Sequence, residues 1–589
     1  MTFERLETYA LRTAKAVAAL AFVLALAGCA NQRGVPENEI TISLLGTNDV
    51  HGQLLPDGDR GGLVAISGYV SALRAAREED GGAVLVIDAG DMWQGTLESN
   101  LVEGAAVVDA YNAIGFAAAA IGNHEFDFGP EGPKAIPETD ADDPRGALKR
   151  QAAQANFPLL AANLIDASTG EPVAWDNVRP SVLLDVRGLK VGIIGITTAN
   201  ALRTTIAANV NGLRVAPLAE TVIRESTVLR NKGAAIVIVA AHAGSSCTDF
   251  SDPMDLSSCY TDGEIMRLAD AIPRGLVDHI FAGHVHRGIA HVVNGISITS
   301  SYSSTRAFSR VDMRVDTNSG RIVSRKIHPP HWACLRVLPS TGECVAAGSG
   351  NAEAVGASYE GRSITPDPVV KGIAERAATF AAEAKNEKLG VTLVAPFLHP
   401  PATESPLANL MTDAVRQQVD GDVAIHNVVG GIRNILPAGE LTFGAVYEMF
   451  PFDNRIATLE LTGRELRQLI ATQAHRARRR AGLSGMRVFV SCEDDAMDVV
   501  LQLSDGSTVQ DDDRVTLIAN DFLVLGGDDV LTPIIPEEGF AVDYSQPLLR
   551  DALVEWFRSQ GETLDPTDYQ STDNPRWNVP DPLPATCSL

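Results

Sequence analysis

The chain has 589 residues, and we expect more than one domain, because single hydrophobic cores stop growing at about 250–300 residues. Its formal net charge of -26 argues against a general role in binding nucleic-acid polymers, or membranes through basic patches. An apolar content of 45% is ordinary for a globular protein. An anionic substrate would therefore need a local cationic site within an acidic molecule, and metal ions would supply one.

The first 28 residues are predicted to be a lipoprotein signal peptide. Arg12 and Lys15 precede an apolar run, 16–28, that is too short to span a bilayer comfortably. The run leads into Leu-Ala-Gly-Cys, which looks like a bacterial lipobox, so Cys29 is the predicted lipidation site and residues 29–39 a polar tether. We expect an exported protein that faces the periplasm or the cell exterior and touches the membrane only through its lipid. A plain secretory signal is the alternative.

Export makes disulfide bonds possible. Six cysteines follow Cys29, and none of them has the C-x-x-C spacing of a zinc or redox site. Six cysteines allow fifteen pairings, and the simplest joins those that follow one another in the chain. The predicted pairs are Cys247 with Cys259, Cys334 with Cys344, and Cys492 with Cys587.

Residues 40–330 alternate apolar strands with helical stretches. Strands are expected over 42–47, 83–87, 116–121, 235–240 and 277–281, with helices over 63–77 and around 101–114. Polar residues follow the strands, where loops commonly hold functional groups. The pattern is typical of a layered α/β domain.

The remaining chain predicts a linker and a second domain. Residues 331–368 are loose in pattern, with Pro, Gly and Ser, and are expected to be the linker. A connecting helix is predicted over 369–386. Residues 387–589 are predicted to form a second α/β or α+β domain, which does not repeat the strand-end ligands of the first.

Seven residues near the strand ends of the first domain carry side chains that bind metals. They are two carboxylates, one amide and four imidazoles: Asp49, His51, Asp91, Asn123, His242, His284 and His286. This mixture suits Zn, Mn, Fe or Co better than Ca or Mg, which prefer oxygen ligands. Seven donors are too many for one tetrahedral ion but fit two divalent ions that share a carboxylate. The D-x-H and H-x-H spacings bring both ligands to one ion only if the chain turns there.

Four motifs carry a family resemblance: T-N-D-V-H-G at 47–52, D-A-G-D-x-x-Q-G-T at 88–96, I-G-N-H-E-F-D at 121–127, and F-A-G-H-V-H at 281–286. Together they resemble the calcineurin-like metallophosphoesterase superfamily, and within it the exported bacterial 5'-nucleotidase / UDP-sugar hydrolase family. The second domain adds G-G-I-R at 430–433, P-F-D-N at 451–454 and N-D-F-x-x-x-G-G-D at 520–528.

The resemblance implies a fold and a metal site. The fold would be a four-layer αββα metallophosphoesterase sandwich, followed by a 5'-nucleotidase C-terminal domain that binds the substrate and closes over the site by a domain rotation. Asp49, His51 and His286 would hold one ion, Asn123, His242 and His284 the other, with Asp91 bridging them. His124 and Asp127 match the catalytic pair of the family.

The resemblance also implies a substrate site. Phe452 and Phe522 would sandwich a base, Arg433 would contact phosphate, and Asp528 would bind the ribose. The expected activity is that of a phosphoric ester hydrolase acting on small-molecule nucleotides, with UDP-sugars as further candidate substrates.

The chain departs from the family pattern at two places. The run 398–410, which includes Thr403, lacks the usual Arg, and Val428-Val429 stands where a third glycine is usual, with Asn427 displaced by one position. Two alternatives therefore stay open. One is a 2',3'-cyclic-nucleotide 2'-phosphodiesterase with 3'-nucleotidase activity, and the other is a catalytically inactive surface protein that binds nucleotides.

Overall fold

The structure, a computed structural model, describes residues 38–346, 348–398, 404–476, 480–536, 539–543, 545–571 and 573–589. The predicted signal peptide, Cys29 and nearly all of the tether lie outside these residues. Within the described ranges, no helix combines the length and the apolar character needed to cross a membrane.

Two large sheets form the centre of the first domain. The seven strands of one sheet are, in spatial order, Ile322–Trp332, Ala307–Asp316, Glu39–Thr47, Ala83–Asp88, Ala118–Ala120, Leu159–Leu160 and Val178–Arg179. The six strands of the other are Gly288–Val293, Ile296–Ser301, His279–Ala282, Ile236–His242, Leu189–Thr197 and Ser181–Val186. A short pair, Leu164–Asp166 with Leu213–Val215, lies beside them.

The two sheets pack face to face, with helices on their outer faces. Ile42 and Leu44 point into the core between the sheets, where they meet residues such as Ile193 and Phe281, whereas Leu45 points to the helical side. This alternation follows from the two-residue repeat of a strand. The outer helices are Gly62–Glu79, Ala105–Ile114 and Gly146–Gln154 on the first sheet, and Leu218–Asn231 and Glu264–Ala271 on the second. The layers are those of the predicted αββα sandwich.

Two predicted elements differ from the structure. The helix expected around 101–114 begins only at Ala105, because Gly104 before it has a left-handed backbone with φ of 83°, and a separate short helix, Leu97–Asn100, precedes it. The strand expected over 116–121 covers only Ala118–Ala120, because the chain turns away at Gly122 towards the short helix His124–Phe126.

A single long helix, Pro368–Lys385, joins the two domains. The side chain of Asp367 caps its first turn by accepting hydrogen bonds from the N–H groups of Val369 and Val370. Before it, the chain forms two short strand pairs, Arg336–Val337 with Val355–Gly356 and Ser358–Tyr359 with Arg362–Ser363. Val370 and Ile373 pack into the core of the first domain, and Ala381 packs in a cluster with Leu97 and with Tyr447 of the second domain, so this helix contacts both domains.

The described residues of the second domain form three small sheets. Their strands are Ile456–Thr462, Arg514–Asn520, Val423–His426 and Gly482–Ser484; Gly439–Thr442, Lys388–Leu393 and Thr563–Leu564; and Ala496–Leu503, Met486–Glu493 and Trp577–Asn578. The helices packed on them are Pro406–Gln418, Phe443–Met449, Gly463–Ala474, Asp521–Val524 and Leu549–Ser559.

Three disulfide bonds are present among the described residues. They join Cys247 to Cys259, Cys334 to Cys344, and Cys492 to Cys587. Each of the first two closes a local loop, whereas the third ties the end of the chain to the strand Met486–Glu493.

Candidate active site

The backbone turns sharply at the two D-x-H and H-x-H motifs. Asp49 and His51 both have φ of 50°, and His284 and His286 have φ of 72° and 57°. Residues other than glycine rarely adopt this left-handed conformation, and it is concentrated at functional sites. The turn that these spacings require is therefore present in both motifs, and it directs alternate side chains to one side of the chain.

The first group of candidate ligands contains Asp49, His51 and His286, whose ligand atoms all lie within 4.8 Å of one another. His286 Nε2 is 3.2 Å from Asp49 Oδ1 and 3.1 Å from His51 Nε2. Asp49 is fully buried and His51 nearly so, whereas the side chain of His286 is 30% exposed and open to the adjoining cavity.

The second group contains Asp91, His242 and His284, again with ligand atoms within 4.8 Å of one another. Asn123 joins this group, since its Oδ1 is 3.0 Å from His242 Nε2. Asp91 Oδ2 lies 3.0 Å from His242 Nε2 and 4.0 Å from His51 Nε2 of the first group. All seven residues that the sequence singled out as ligands thus come together, with the Asp91 carboxylate between the two groups.

Backbone carbonyls orient two of the imidazoles. His51 Nδ1 is 2.8 Å from the carbonyl of Gln94, and His242 Nδ1 is 2.9 Å from the carbonyl of Ala89. A carbonyl only accepts, so each Nδ1 must carry the proton that it donates. Each Nε2 then faces the cluster, as in metal sites where an outer hydrogen bond fixes the ring. The Nε2 of His242 lies 3.0 Å from oxygens of Asp91 and Asn123, so it carries a proton when no metal is bound.

The protonation states of the cluster fit divalent cations. Burial opposes ionisation of Asp49, but the nearby His286 overcomes it and lowers the pKa of Asp49 to about 2. Burial lowers the pKa of His284 to about 3, which keeps that ring neutral. Burial opposes protonation of His242, but the charge of Asp91 prevails and raises the pKa of His242 to about 10. His242 therefore carries a proton at a place where a metal cation would also be favourable. Buried carboxylates with imidazoles are the donors that Zn, Mn, Fe and Co share.

Glu125, a residue to which the sequence analysis gave no role, holds the loops of the cluster together. It is 1% exposed, and its carboxylate accepts backbone hydrogen bonds from Asp91, Met92 and Gly122 at 2.7–2.8 Å. One side chain therefore fixes the position of Asp91 relative to the turn that carries Asn123. The signal available in the sequence was its place inside the motif I-G-N-H-E-F-D.

His124 lies beside the cluster and is held by Asp127. Its Nδ1 is 2.6 Å from Asp127 Oδ2, and the hydroxyl of Thr205 donates to the other oxygen of Asp127 at 2.7 Å. Arg433 of the second domain approaches His124 Nε2 at 2.7 Å through Nη2. Because a guanidinium only donates, His124 Nε2 accepts and its Nδ1–H donates to Asp127. Thr205 was not foreseen, as it comes from a loop 78 positions away.

A cavity of about 340 Å³ extends from the cluster into the second domain; we call it the base cavity. Phe452 and Phe522 both line it, and the guanidinium of Arg433 lies 5.1 Å from the centre of the Phe452 ring. Asp528 also faces this cavity, where its Oδ2 accepts a hydrogen bond from Asn427 Nδ2 at 2.6 Å. The four predicted substrate residues thus share one space.

One of the two departures from the family motifs lies at this cavity. Residues 399–403, where the family Arg is missing, lie outside the described residues. The displaced Asn427 still lines the base cavity, but its amide is engaged with Asp528. Val429 is 47% exposed and lies on the cavity wall, where the usual glycine would present no side chain.

The first domain has two face-to-face sheets with this donor set at their strand ends, and the second domain lines the same cavity. These features define a two-domain hydrolase of the metallophosphoesterase class. The family model for the calcineurin-like phosphoesterase matches residues 42–288, and the model for the 5'-nucleotidase C-terminal domain matches residues 388–533. The chain therefore belongs to the 5'-nucleotidase family of metallophosphoesterases. The family and the fold class predicted from the motifs are confirmed, and so, at the level of the family, is the prediction of a hydrolytic enzyme.

Individual relatives are distant. The chain is 26% identical to Endonuclease YhcR of Bacillus subtilis over 518 residues, which are 84% of this chain and 38% of that protein. It is 25% identical to a 5'-nucleotidase of Vibrio cholerae over 489 residues, covering 77% of this chain and 79% of the relative. The crystal structure of a 5'-nucleotidase precursor from Thermus thermophilus has the same fold, with a TM-score of 0.64, 22% identity, and coverage of 89% of this chain and 99% of that one.

Proposed function

We propose that the protein is a phosphohydrolase that uses two divalent metal ions to release phosphate from nucleotides outside the cytoplasm. One observation carries the proposal: seven metal-binding side chains and the His124–Asp127 pair converge at the mouth of a cavity that contains two phenylalanines. The nucleotide substrate is consistent with the relatives named 5'-nucleotidase.

Asp49, His51 and His286 would hold one ion, and Asn123, His242 and His284 the other, with Asp91 shared. Two such ions, when bound, polarise the phosphoryl oxygens and make water nucleophilic near neutral pH. The native metals would be Zn, Mn, Co or Fe.

The chain itself would position the phosphoryl group and stabilise its charge. Arg433 offers a planar guanidinium suited to phosphate oxygens, and it already lies at His124. His124, oriented by Asp127, would stabilise charge on the transferring group and supply a proton to the leaving oxygen. Thr205 keeps Asp127 in place through its hydroxyl.

The base of the nucleotide would stack between Phe452 and Phe522. Aromatic stacking accepts any base and contributes roughly 1–3 kcal/mol per base, by analogy with single-stranded nucleic-acid platforms. Asp528 would accept hydrogen bonds from the ribose hydroxyls.

The test is phosphate release from AMP, together with separation of the products formed from cyclic AMP isomers and from UDP-glucose, with added Mn or Co. We expect phosphate release from AMP, and a loss of about 100- to 10,000-fold in kcat for His124→Ala, the range typical of general acid–base groups. His475→Ala is the control, because His475 is exposed and far along the chain from the catalytic motifs. Equal rates for the wild-type protein and His124→Ala would refute the assignment.

We also propose that the protein is exported and anchored by a lipid on Cys29, with the domain limits 40–330 and 387–589 joined through the linker 331–368 and the helix 369–386. Three disulfide bonds are consistent with an oxidising compartment. Metabolic labelling with a radioactive fatty acid should mark the wild-type protein and leave Cys29→Ser unlabelled. Label retained by Cys29→Ser would contradict the anchor.

A further inference from the structure

A second and larger cavity, of about 650 Å³, opens on the other side of the candidate metal centre; we call it the outer cavity. Gln94, His286 and Arg433 line both the outer cavity and the base cavity, so the ligand cluster stands at their junction. His51 faces the outer cavity and His124 the base cavity. The reacting centre would therefore be open on two sides.

The walls of the outer cavity suit an organic group with polar substituents. One part is apolar and comes from both domains, with Leu55 of the first and Ile432 and Ile435 of the second. Arg60 and Arg306 add two guanidinium groups. Arg60 Nη2 donates to the side-chain oxygen of Asn434 at 2.9 Å, so a hydrogen bond joins the two domains at the wall of this cavity.

Gln94 supplies a polar atom without a partner at the junction. Its side chain is 2% exposed, and its Nε2 donates to the carbonyl of Pro451 at 2.8 Å. Its Oε1 has no hydrogen-bond partner among the described residues. Buried polar atoms are nearly always paired, so this oxygen is an unmatched acceptor in a residue that lines both cavities.

The geometry of phosphoryl transfer indicates which part of a substrate the outer cavity would hold. In an in-line displacement the attacking and leaving oxygens are opposite one another, and the other three oxygens are spread around the equator. With the leaving nucleoside in the base cavity, a monoester has three bare equatorial oxygens and needs no further space. A phosphodiester has a carbon group on one of them, and that group must leave the site in another direction.

We propose that the outer cavity binds the second ester arm of a nucleotide phosphodiester, so that dinucleoside monophosphates are substrates as well as monoesters. The proposal rests on the proposed function and specifies its substrate class. Water would add through its oxygen to phosphorus, the bond to the nucleoside in the base cavity would break, and one proton of that water would end on the leaving oxygen. The products would be a nucleoside and a phosphate monoester of the second arm.

Ile435→Trp tests the proposal, because Ile435 is 42% exposed and lines only the outer of the two cavities. We expect kcat/KM for a dinucleoside monophosphate to fall about tenfold, the equivalent of about 1.4 kcal/mol, while kcat/KM for AMP stays unchanged. Arg306→Ala should act in the same direction. Val394→Trp is the matched control, since Val394 is 52% exposed in the same domain and lines neither cavity.

Calorimetric titration of the metal-free protein gives a reading that is independent of turnover. Ile435→Trp should weaken the binding of the dinucleoside monophosphate about tenfold and leave AMP binding unchanged. The proposal is overturned if the wild-type protein hydrolyses AMP but not the diester, or if Ile435→Trp affects both ligands equally. If neither compound is hydrolysed, the proposed function fails, and the titration alone still decides whether the outer cavity binds the second arm.

Discussion

Substitution of Glu125 by glutamine tests whether the metal cluster depends on a residue that would bind no metal itself. The side chain accepts three backbone hydrogen bonds, two on Oε2 from Asp91 and Gly122 and one on Oε1 from Met92. Burial and the charge of Asp91 raise the pKa of Glu125 to about 8, whereas these N–H donors favour its ionised form. An amide keeps one accepting oxygen and replaces the other with an NH₂ group. In its better orientation the glutamine still accepts from Asp91 and Gly122, but its NH₂ faces the N–H of Met92, which is also a donor.

The expected loss follows from that one unpaired donor. A buried hydrogen-bonding group without a partner costs about 1–3 kcal/mol, so Glu125→Gln should lower the free energy of unfolding by about that amount. The Asp91 loop would also lose its fixed position. Outer residues that orient metal ligands typically change metal affinity or activity by about 10- to 100-fold, and we expect that range here.

The assay is competition with a metal chelator, together with kcat/KM for AMP and a urea unfolding curve. Glu131→Gln is the control, because Glu131 is an exposed glutamate a few residues along the same segment whose side chain pairs only at the surface, with Arg150. Surface pairs contribute about 0–1 kcal/mol, so the control should behave like the wild-type protein. If Glu125→Gln keeps the metal affinity and activity of the control, the role assigned to Glu125 is wrong.

Three further outcomes are expected. Phe522→Ala removes a stacking partner worth roughly 1–3 kcal/mol, so KM for AMP should rise by the corresponding factor while turnover of p-nitrophenyl phosphate stays unchanged. Equal losses on both substrates would contradict the proposal that the base cavity binds the base. Burial lowers the pKa of His279 to about 3 and of His426 to about 4, against about 6.5 in an unfolded chain. Because the unfolded chain therefore takes up protons first, the contribution of these two groups to the free energy of unfolding is complete above about pH 6.5 and is lost as the pH falls towards 4. Urea unfolding of the metal-free protein at pH 7 and pH 5 should show a lower free energy of unfolding at pH 5, and no decrease would refute the prediction. Lys385→Met removes a cation whose Nζ lies 2.8 Å from Glu98 of the first domain and 2.8 Å from Glu448 of the second. Thermal unfolding should show a free energy of unfolding that is lower by about 1 kcal/mol at low salt and by less at high salt. A loss that does not depend on salt would contradict an electrostatic role.

The ligand set could be predicted from the sequence because each donor follows an apolar strand. Strand alternation and the position of loops at sheet edges are local properties, so His242, His284 and His286 could be grouped before their distances were known. The motifs then divided the donors into two sets. The structure adds the positive φ values at Asp49 and His51, which turn the chain and cannot be deduced from the D-x-H spacing itself.

The supporting residues could not be predicted because they act across long stretches of chain. Thr205 meets Asp127 over 78 positions, and Gln94 meets the carbonyl of Pro451 over 357 positions. Glu125 acts on backbone N–H groups, which every residue except proline has, so no residue type marks its partners. The outer cavity is likewise formed where the two domains pack together, so the sequence periodicity within either domain does not predict it.

The contact between Arg433 and His124 has a consequence for substrate binding. At 2.7 Å the two groups are in direct hydrogen-bond contact, and a phosphoryl group cannot lie between them. The His124 nitrogen that would serve the leaving oxygen is thus engaged by the residue proposed to bind phosphate. Substrate must therefore separate the two, by movement of the Arg433 side chain or of the second domain that carries it. Because the same Arg433 lines both cavities, that movement would also widen the passage between them, so the opening that admits a phosphoryl group would at the same time admit a second ester arm.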